Sequence, residues 1–335
     1  MKQTDDRELI PISAYRVVGG PNNGLMQVSP VKHNKAMEIY NKMRDDHWHE
    51  SEVNMSQDVH SWNTLTESEQ KAYRKALAFL SNLDGMQLYN LKVIQKELTS
   101  PWYEMAISRQ RFDESLHVLA YSLMIETMGF DAVETYNMFL TDDLLYAKNQ
   151  FVRDMNEQVG SGDKIENFIL ATVANQALEG IMFQSGFLLF YVLSEAGKMH
   201  NSAKQVKFIQ RDELNHLRLF FAMFEDLRQE NPEYFTEELI QKARAILKNA
   251  AEMEIKWGQY IISDGIMGLN DETVEKYIKH LADYFSEGLG LGLLFGEGEI
   301  TPNPCSWMDA RMSDFGIDTD FFQDKVDSYD AASEW

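Results

Sequence analysis

The chain has little cysteine, little proline and few positive charges. Only one of its 335 residues is a cysteine, Cys305. A lone thiol excludes an intramolecular disulfide and any zinc or iron–sulfur site built from several cysteines. It also rules out chemistry in which this chain by itself cycles a dithiol. Such cysteine usage suits a reducing compartment, and a cytoplasmic location is expected. Lys and Arg together number 31 against 53 Asp and Glu, a net charge of −22. A surface this acidic repels phosphate backbones, so no nucleic-acid partner is expected. Long apolar runs are missing too. The longest, residues 186–193 and 288–296, fall well short of the roughly 18 residues that suggest a membrane span. The opening "MKQTDDRELIPIS" is too charged for a signal peptide. No membrane partner is expected.

Of seven prolines, none lies between Pro101 and Pro232. That interval has room for several uninterrupted helices. Residues 1–32 hold Pro11, Pro21, Pro30 and "GGPNNG" and read as an extended arm. Leu77, Leu80, Leu83, Leu88 and Leu91 have helical spacing and predict a helix over 66–98. In "TSPWYE", Ser100 reads as a cap and Pro101 as the first helical residue, with the helix reaching Met128 and ended by Gly129. "GSGDK" at 160–164 breaks the pattern. A very apolar helix is then predicted over 165–195, and others over 201–228, 236–262 and 271–290. Period-two runs of Val, Ile and Thr are absent, so no β-sheet is expected. The pattern describes an all-α protein. From Pro302 onward the chain is acidic, aromatic and weakly periodic, and is expected to form a partly flexible tail.

Histidine is scarce, 8 in all, yet two stand in one motif. "RFDESLH" (111–117) and "QRDELNH" (210–216) both read Asp-Glu-x-x-His. Side chains three apart on a helix share a face, so Glu114 projects with His117 and Glu213 with His216. A single Glu-x-x-His is a common accident on a solvated helix. Here each copy is flanked by apolar residues: Leu116, Val118, Leu119 and Leu123 around the first, and Phe208, Ile209, Leu214, Leu217 and Leu219 around the second. An acid buried that way needs a partner, and a metal is the simplest. Glu179 is the sole carboxylate of "NQALEGIMFQSGF", and no Lys or Arg occurs between Lys164 and Lys198. Asp84 is the sole carboxylate of "AFLSNLDGMQLYNL"; on its own it fits a surface acid equally well.

In chain order Asp84, Glu114-x-x-His117, Glu179 and Glu213-x-x-His216 form the ligand pattern of a ferritin-like di-metal carboxylate bundle. Four carboxylates and two imidazoles neutralise most of the charge of two divalent ions. Their hardness suits two Fe, two Mn or a mixed pair better than zinc alone. The His-Glu-x-x-His of zinc proteases is absent. Tyr121 lies one turn after His117 on the same face, whereas its counterpart in the second motif is Phe220, which cannot form a phenoxyl radical. With 14 tyrosines in the chain, a plain core aromatic is the alternative. Phe183 and Phe187 follow Glu179 by four and eight residues, and Ile209 precedes Glu213 by four. Those spacings turn all three toward the acids, as an apolar wall for a protected radical store.

From about residue 33 to 330 the chain resembles the small, radical-generating subunit of class I ribonucleotide reductases. "SNLDG", "LEGIMF", "KFIQRDE" and "NPCSWM" read like that family, and so does the tryptophan in "HWHESEVNMSQD". The resemblance implies a ferritin-like helical bundle with additional helices, divided into an arm (1–32), a di-metal helical domain (33–300) and a C-terminal tail (301–335) that docks into a large subunit. It implies metal ligation by Asp84, Glu114, His117, Glu179, Glu213 and His216, a radical on Tyr121, and a pocket of Phe183, Phe187 and Ile209. Trp48 would begin the electron route, with Asp212 and His117 linking it to the metals, and Tyr329 would relay in the tail. The activity implied is that of a ribonucleoside-diphosphate reductase: the small chain activates an oxygen species, stores one oxidising equivalent on a tyrosine or on the metal pair, and passes it to the large subunit. A homodimer is implied as well. The resemblance leaves open the metal, the place of the oxidant, the need for a flavodoxin-like activase, and diphosphate against triphosphate substrates. Three other readings compete. A ligand-binding di-metal oxidase shares the six acids and histidines but needs neither Trp48 nor a docking tail. A ferritin-like storage protein needs no buried aromatic store. A metal-free helical scaffold requires six buried titratable groups to be accidental.

Overall fold

Local signals fix where the long helices begin. Thr66 accepts a hydrogen bond from the Glu69 N–H at 3.2 Å, and the Glu69 carboxylate accepts one from the Thr66 N–H at 2.7 Å. This reciprocal cap satisfies two N–H groups that a helix start leaves bare. Ser100 caps the next long helix, with Pro101 as its first residue, and Gly129 (φ +69°) lies just past its end. Asp163, Thr236 and Asn270 cap three more.

The computed structural model describes residues 9–157 and 162–308. Its helices are α1 (Asn34–Asp45), α2 (Ser56–Trp62), α3 (Glu67–Glu97), α4 (Pro101–Thr127), α5 (Ala132–Tyr136), α6 (Asp143–Glu157), α7 (Lys164–Ala177), α8 (Gln184–Glu195), α9 (His200–Glu230), α10 (Glu237–Ile261) and α11 (Asp271–Gly288). No strand occurs among the described residues, only the isolated bridges Val18–Leu98 and Ile266–Leu269. The fold is all-α, as the missing period-two runs imply. The helices predicted over 66–98, 101–128, 201–228, 236–262 and 271–290 are present as α3, α4, α9, α10 and α11.

Two findings differ from the sequence-based expectation. Helices α1, α2, α5 and α6 were not anticipated. The apolar run 165–195 is not one helix: a π-helical turn, Leu178–Met182, separates α7 from α8 and carries Glu179. A π turn fits one extra residue into the helix and frees backbone groups that must find other partners. The stretch Lys164–Glu195 is long and apolar enough to cross a membrane by composition alone, but its most apolar 18-residue window is wholly buried inside the protein. Helices α7 and α8 are core helices, packed by α9 and α10.

Helices α3, α4, α9 and the α7–α8 pair surround the buried acids, with α1, α10 and α11 packed outside them. The N-terminal segment is extended and docked. Tyr15, Val17 and Val18 are buried, and Glu230 at the end of α9 accepts from the Val17 N–H (2.8 Å) and Lys32 (2.9 Å) and meets His33 Nε2 at 3.1 Å. Burial raises the Glu230 pKa, but those partners outweigh it and hold the carboxyl below its usual range. At the other end Asp283 accepts from the N–H groups of Leu294 and Phe295 (2.8 Å each) and from the Thr301 hydroxyl (2.6 Å). These bonds fix the segment after α11. Tyr329 and the tail from residue 309 lie outside the described residues.

Candidate metal centre

Each Glu-x-x-His pair points inward from one helix face. Glu114 and His117 come from α4, Glu213 and His216 from α9, Asp84 from the middle of α3 and Glu179 from the π turn. All six side chains are essentially inaccessible. They form two overlapping groups: Asp84, Glu114, His117 and Glu213 in one, and Glu114, Glu179, Glu213 and His216 in the other. Within each group, ligand-type atoms all lie within 4.8 Å of one another. Glu114 and Glu213 belong to both. Two four-residue groups that share two carboxylates could hold two cations close together.

The histidines are oriented for this. His117 Nδ1 lies 3.2 Å from Glu213 Oε1, 3.5 Å from Glu114 and 3.8 Å from Asp84. Its Nε2 lies 3.2 Å from Asp212 Oδ2. His216 Nδ1 lies 3.0 Å from Glu213 and 3.4 Å from Glu114, while its Nε2 faces Asp113 Oδ2 at 3.6 Å. Asp212 thus lies within hydrogen-bond distance of His117 Nε2, while Asp113 faces His216 Nε2 without a hydrogen bond; in both rings Nδ1 is the atom turned toward the inner carboxylates. Sequence reasoning overlooked Asp113. The signal was there, because Asp precedes Glu in both motifs. The two acids also cross: the Asp of each motif serves the His of the other. Arg109 pairs with Asp113 at 2.6 Å, whereas the Trp48 Nε1–H donates to Asp212 Oδ2 at 2.6 Å.

The inner oxygens are poorly satisfied by protein. Both Asp84 oxygens, Glu114 Oε2, Glu179 Oε2, Glu213 Oε1 and His117 Nδ1 have no hydrogen-bond partner among the described residues. An unpaired buried acceptor costs about 1–3 kcal/mol, more for a charged one, so this many in one place fit a cation that supplies what the protein withholds. Without cations, burial first and then mutual repulsion push Asp84, Glu114 and Glu179 up toward the protonated form. Glu213 goes the other way: burial raises it, but both imidazoles outweigh that and bring it to about 2. Four carboxylates match two divalent cations in charge, and hard oxygens with one nitrogen per position suit iron or manganese.

Glu179 has further partners that the sequence did not reveal. Gln110 donates to its Oε1 at 2.7 Å, and Gln87, itself bonded to Asn175, donates to the same oxygen. Tyr121 is fully buried, and its hydroxyl has no hydrogen-bond partner among the described residues. Burial and the charges of Asp84, Glu213 and Glu114 hold the phenol protonated far above its ordinary range. Phe183, Phe187 and Ile209 are fully buried, with the two phenyl rings 5.6 Å apart. Trp48 stacks on Phe208 at 5.1 Å.

Known proteins place this geometry. Residues 25–304 match the family described as "Ribonucleotide reductase, small chain". A ribonucleoside-diphosphate reductase subunit beta of Treponema pallidum (strain Nichols) is 33% identical over 97% of this chain and 93% of its own length. The protein of that description from Halalkalibacterium halodurans is 31% identical over 98% of this chain and 96% of its own. Among solved structures, a ribonucleotide reductase R2 subunit from Clostridium botulinum superposes with a TM-score of 0.84 at 33% identity, covering 89% of this chain and 94% of that one. The chain belongs to the ribonucleotide reductase small-chain family.

Proposed function

We propose that this chain is the radical-generating subunit of a ribonucleoside-diphosphate reductase, working as a homodimer with a large subunit in the cytoplasm. The observation that carries this is the pair of overlapping acid–histidine groups sharing Glu114 and Glu213. Asp84, Glu114, His117, Glu179, Glu213 and His216 would hold two ions of iron, manganese or one of each, which when bound supply the oxidising power drawn from an oxygen species. The protein's own part is organisation. Asp212 would hold the Nε2 proton of His117, and Asp113, facing His216 Nε2, would help to aim that ring. The buried aromatic and aliphatic side chains keep water away from Tyr121, which would store the oxidising equivalent. The hydrogen-bonded series Trp48–Asp212–His117 gives the oxidising equivalent a way out toward the surface.

The single cysteine requires that substrate binding and the redox dithiol reside on the large subunit. We assign residues 33–300 to the helical di-metal domain and the tail after 301 to docking, with Tyr329 as its relay residue. Exposed apolar side chains on α3 and α4, Tyr89, Val93, Phe112 and Leu119, supply a face for the second copy. Elemental analysis with low-temperature EPR, before and after Tyr121→Phe, tests the reading. Two metals per chain and a phenoxyl signal lost in the variant support it. Two metals with a metal-centred signal unchanged in the variant would move the oxidant onto the metals. No metal would sink it.

A further inference from the structure

Among the described residues outside the carboxylate cluster, Lys148 on α6 and Glu254 on α10 form an ion pair with both side chains fully buried. Taking two charges out of water costs several kcal/mol per ion, and an apolar pair fills such a space more cheaply. What the charges touch is therefore informative. Lys148 Nζ donates to the Met182 carbonyl at 3.1 Å, the last residue of the π turn. Glu254 accepts from the Ser185 N–H at 3.0 Å and from the Ser185 hydroxyl, in the first turn of α8. The cation sits on a carbonyl where one helical piece ends. The anion sits on an N–H where the next begins. Each sign is the one that helix ends favour. Gln184 adds a donor to the Glu179 carbonyl at 3.2 Å. The backbone groups freed by the π turn are thus held by side chains from outside it.

The close approach is built into the sequence. Gly258 lies one turn after Glu254, and a Cβ there would stand 3.0 Å from Ser185 Cβ and 2.6 Å from the Val274 side chain. Gly180, next to Glu179, takes the ring of Phe285, which a Cβ would meet at 2.6 Å. Helices α10 and α11 therefore seat directly against the segment that carries Glu179.

We propose that the Lys148–Glu254 pair holds the π turn in the register that presents Glu179 to the cluster, and so sets the affinity of one cation position and not the other. The position affected is the one formed by Glu114, Glu179, Glu213 and His216. The position formed by Asp84, Glu114, His117 and Glu213 does not depend on the pair. Lys148 and Glu254 are positioning residues, acting through the backbone of Leu178–Met182. This inference rests on the dinuclear reading given above.

The test is a Mn(II) titration of the metal-free full-length chain, read by EPR, beside thermal unfolding of the same samples. Lys148→Met/Glu254→Met removes both charges at similar volume; relief from burying two charges offsets the partners lost at the Met182 carbonyl and Ser185, so the variant should stay folded with a melting temperature near that of wild type. It should bind one Mn(II) as tightly as wild type and the second ~10–100-fold more weakly, the usual scale for lost supporting contacts. The signal of a coupled Mn pair should give way to that of an isolated ion. Glu254→Gln, which keeps the shape and an acceptor, should show a smaller loss at the same position, and it decides the matter if the double variant does not fold. Full binding of both ions in a folded variant would overturn the proposal. Equal weakening of both ions would overturn it too, as the mark of a merely structural pair. If wild type itself takes up no Mn pair, the dinuclear reading fails first, whatever the variants do.

Discussion

Replacing Trp48 by Phe separates the proposed electron route from the metal centre. Trp48 is 1% exposed and stacks on Phe208, so a phenyl ring keeps most of the apolar burial. What is lost is the 2.6 Å hydrogen bond from Nε1 to Asp212. Hydrogen bonds to charged groups contribute ~1.5–3 kcal/mol. Asp212 retains His117 at 3.2 Å and Arg211 at 3.4 Å, so the lower end applies. For a chain of this size ~1.5 kcal/mol moves the melting temperature by roughly 3 °C. The Asp212–His117 contact survives, so metal content should be unchanged and a signal from Tyr121 should still form.

Partner-dependent turnover should respond very differently. A phenyl ring is far harder to oxidise than an indole, so the oxidising equivalent has no stepping stone at position 48. A loss of about 100-fold or more, equal to ~2.7 kcal/mol in barrier height, is expected. The assay is ribonucleotide reduction with a large subunit, run beside metal analysis and radical quantification on one preparation. Turnover within a few-fold of wild type, with fold and metals intact, would remove Trp48 from the route. Loss of one metal together with turnover would show instead that Trp48 acts by positioning Asp212 and His117.

Tyr121→Phe should leave the metal count unchanged and cost almost nothing in thermal stability, because the buried hydroxyl has no partner to lose among the described residues; a drop in melting temperature beyond ~3 °C would reveal a hydroxyl contact. Asp283→Asn should lower stability at neutral pH. The Asp283 carboxyl is held below its ordinary value of 3.8: burial raises it, but the Thr301 hydroxyl and the backbone N–H groups of Phe295 and Leu294 prevail. Its contribution is therefore fully present above that value and lost as pH falls through the folded one. Urea unfolding at pH 7 and pH 3 should show the gap between wild type and variant narrowing in acid. Leu119→Lys puts a charge on the exposed apolar face of α4 and should shift the homodimer toward monomer by roughly tenfold or more in Kd, read by sedimentation; an unchanged dimer would move the interface elsewhere.

Much of the centre was legible because it is written in helical spacing. Glu114 with His117, and Glu213 with His216, need only a three-residue interval to share a face. Glu179 stood out because nothing cationic is near it in sequence. The π turn around Glu179 was not legible, since its contacts with Lys148 and Glu254 come from helices 34 and 69 residues away in sequence. Gln87 and Gln110 were missed for a similar reason. A buried amide carries no charge to mark it, and its role appears only when α3, α4 and the π turn meet at Glu179. Helix α1 carries the helical signal as well: Ala36, Ile39, Tyr40 and Met43 recur at three- and four-residue intervals, Ala36 and Met43 buried and the other two partly so.

The repeated Asp-Glu-x-x-His motif has a consequence that its two copies do not show separately. Each outer Asp faces the histidine of the opposite helix, at 3.2 Å for Asp212–His117 and 3.6 Å for Asp113–His216, so α4 and α9 meet through both sides of the centre. Rotating either helix would disturb both imidazoles together. That crossing fixes the geometry more firmly than two self-contained motifs would. The two ties nevertheless end differently. Asp113 ends on Arg109, a guanidinium that neutralises the acid and cannot be oxidised. Asp212 ends on Trp48, an indole that can be. The Glu-x-x-His pairs give near symmetry in ligand type. The residues one step further out break it, so that a single side of the centre offers an oxidisable exit. Under the proposed function, direction is thus set by which partner each second aspartate meets, Arg109 or Trp48.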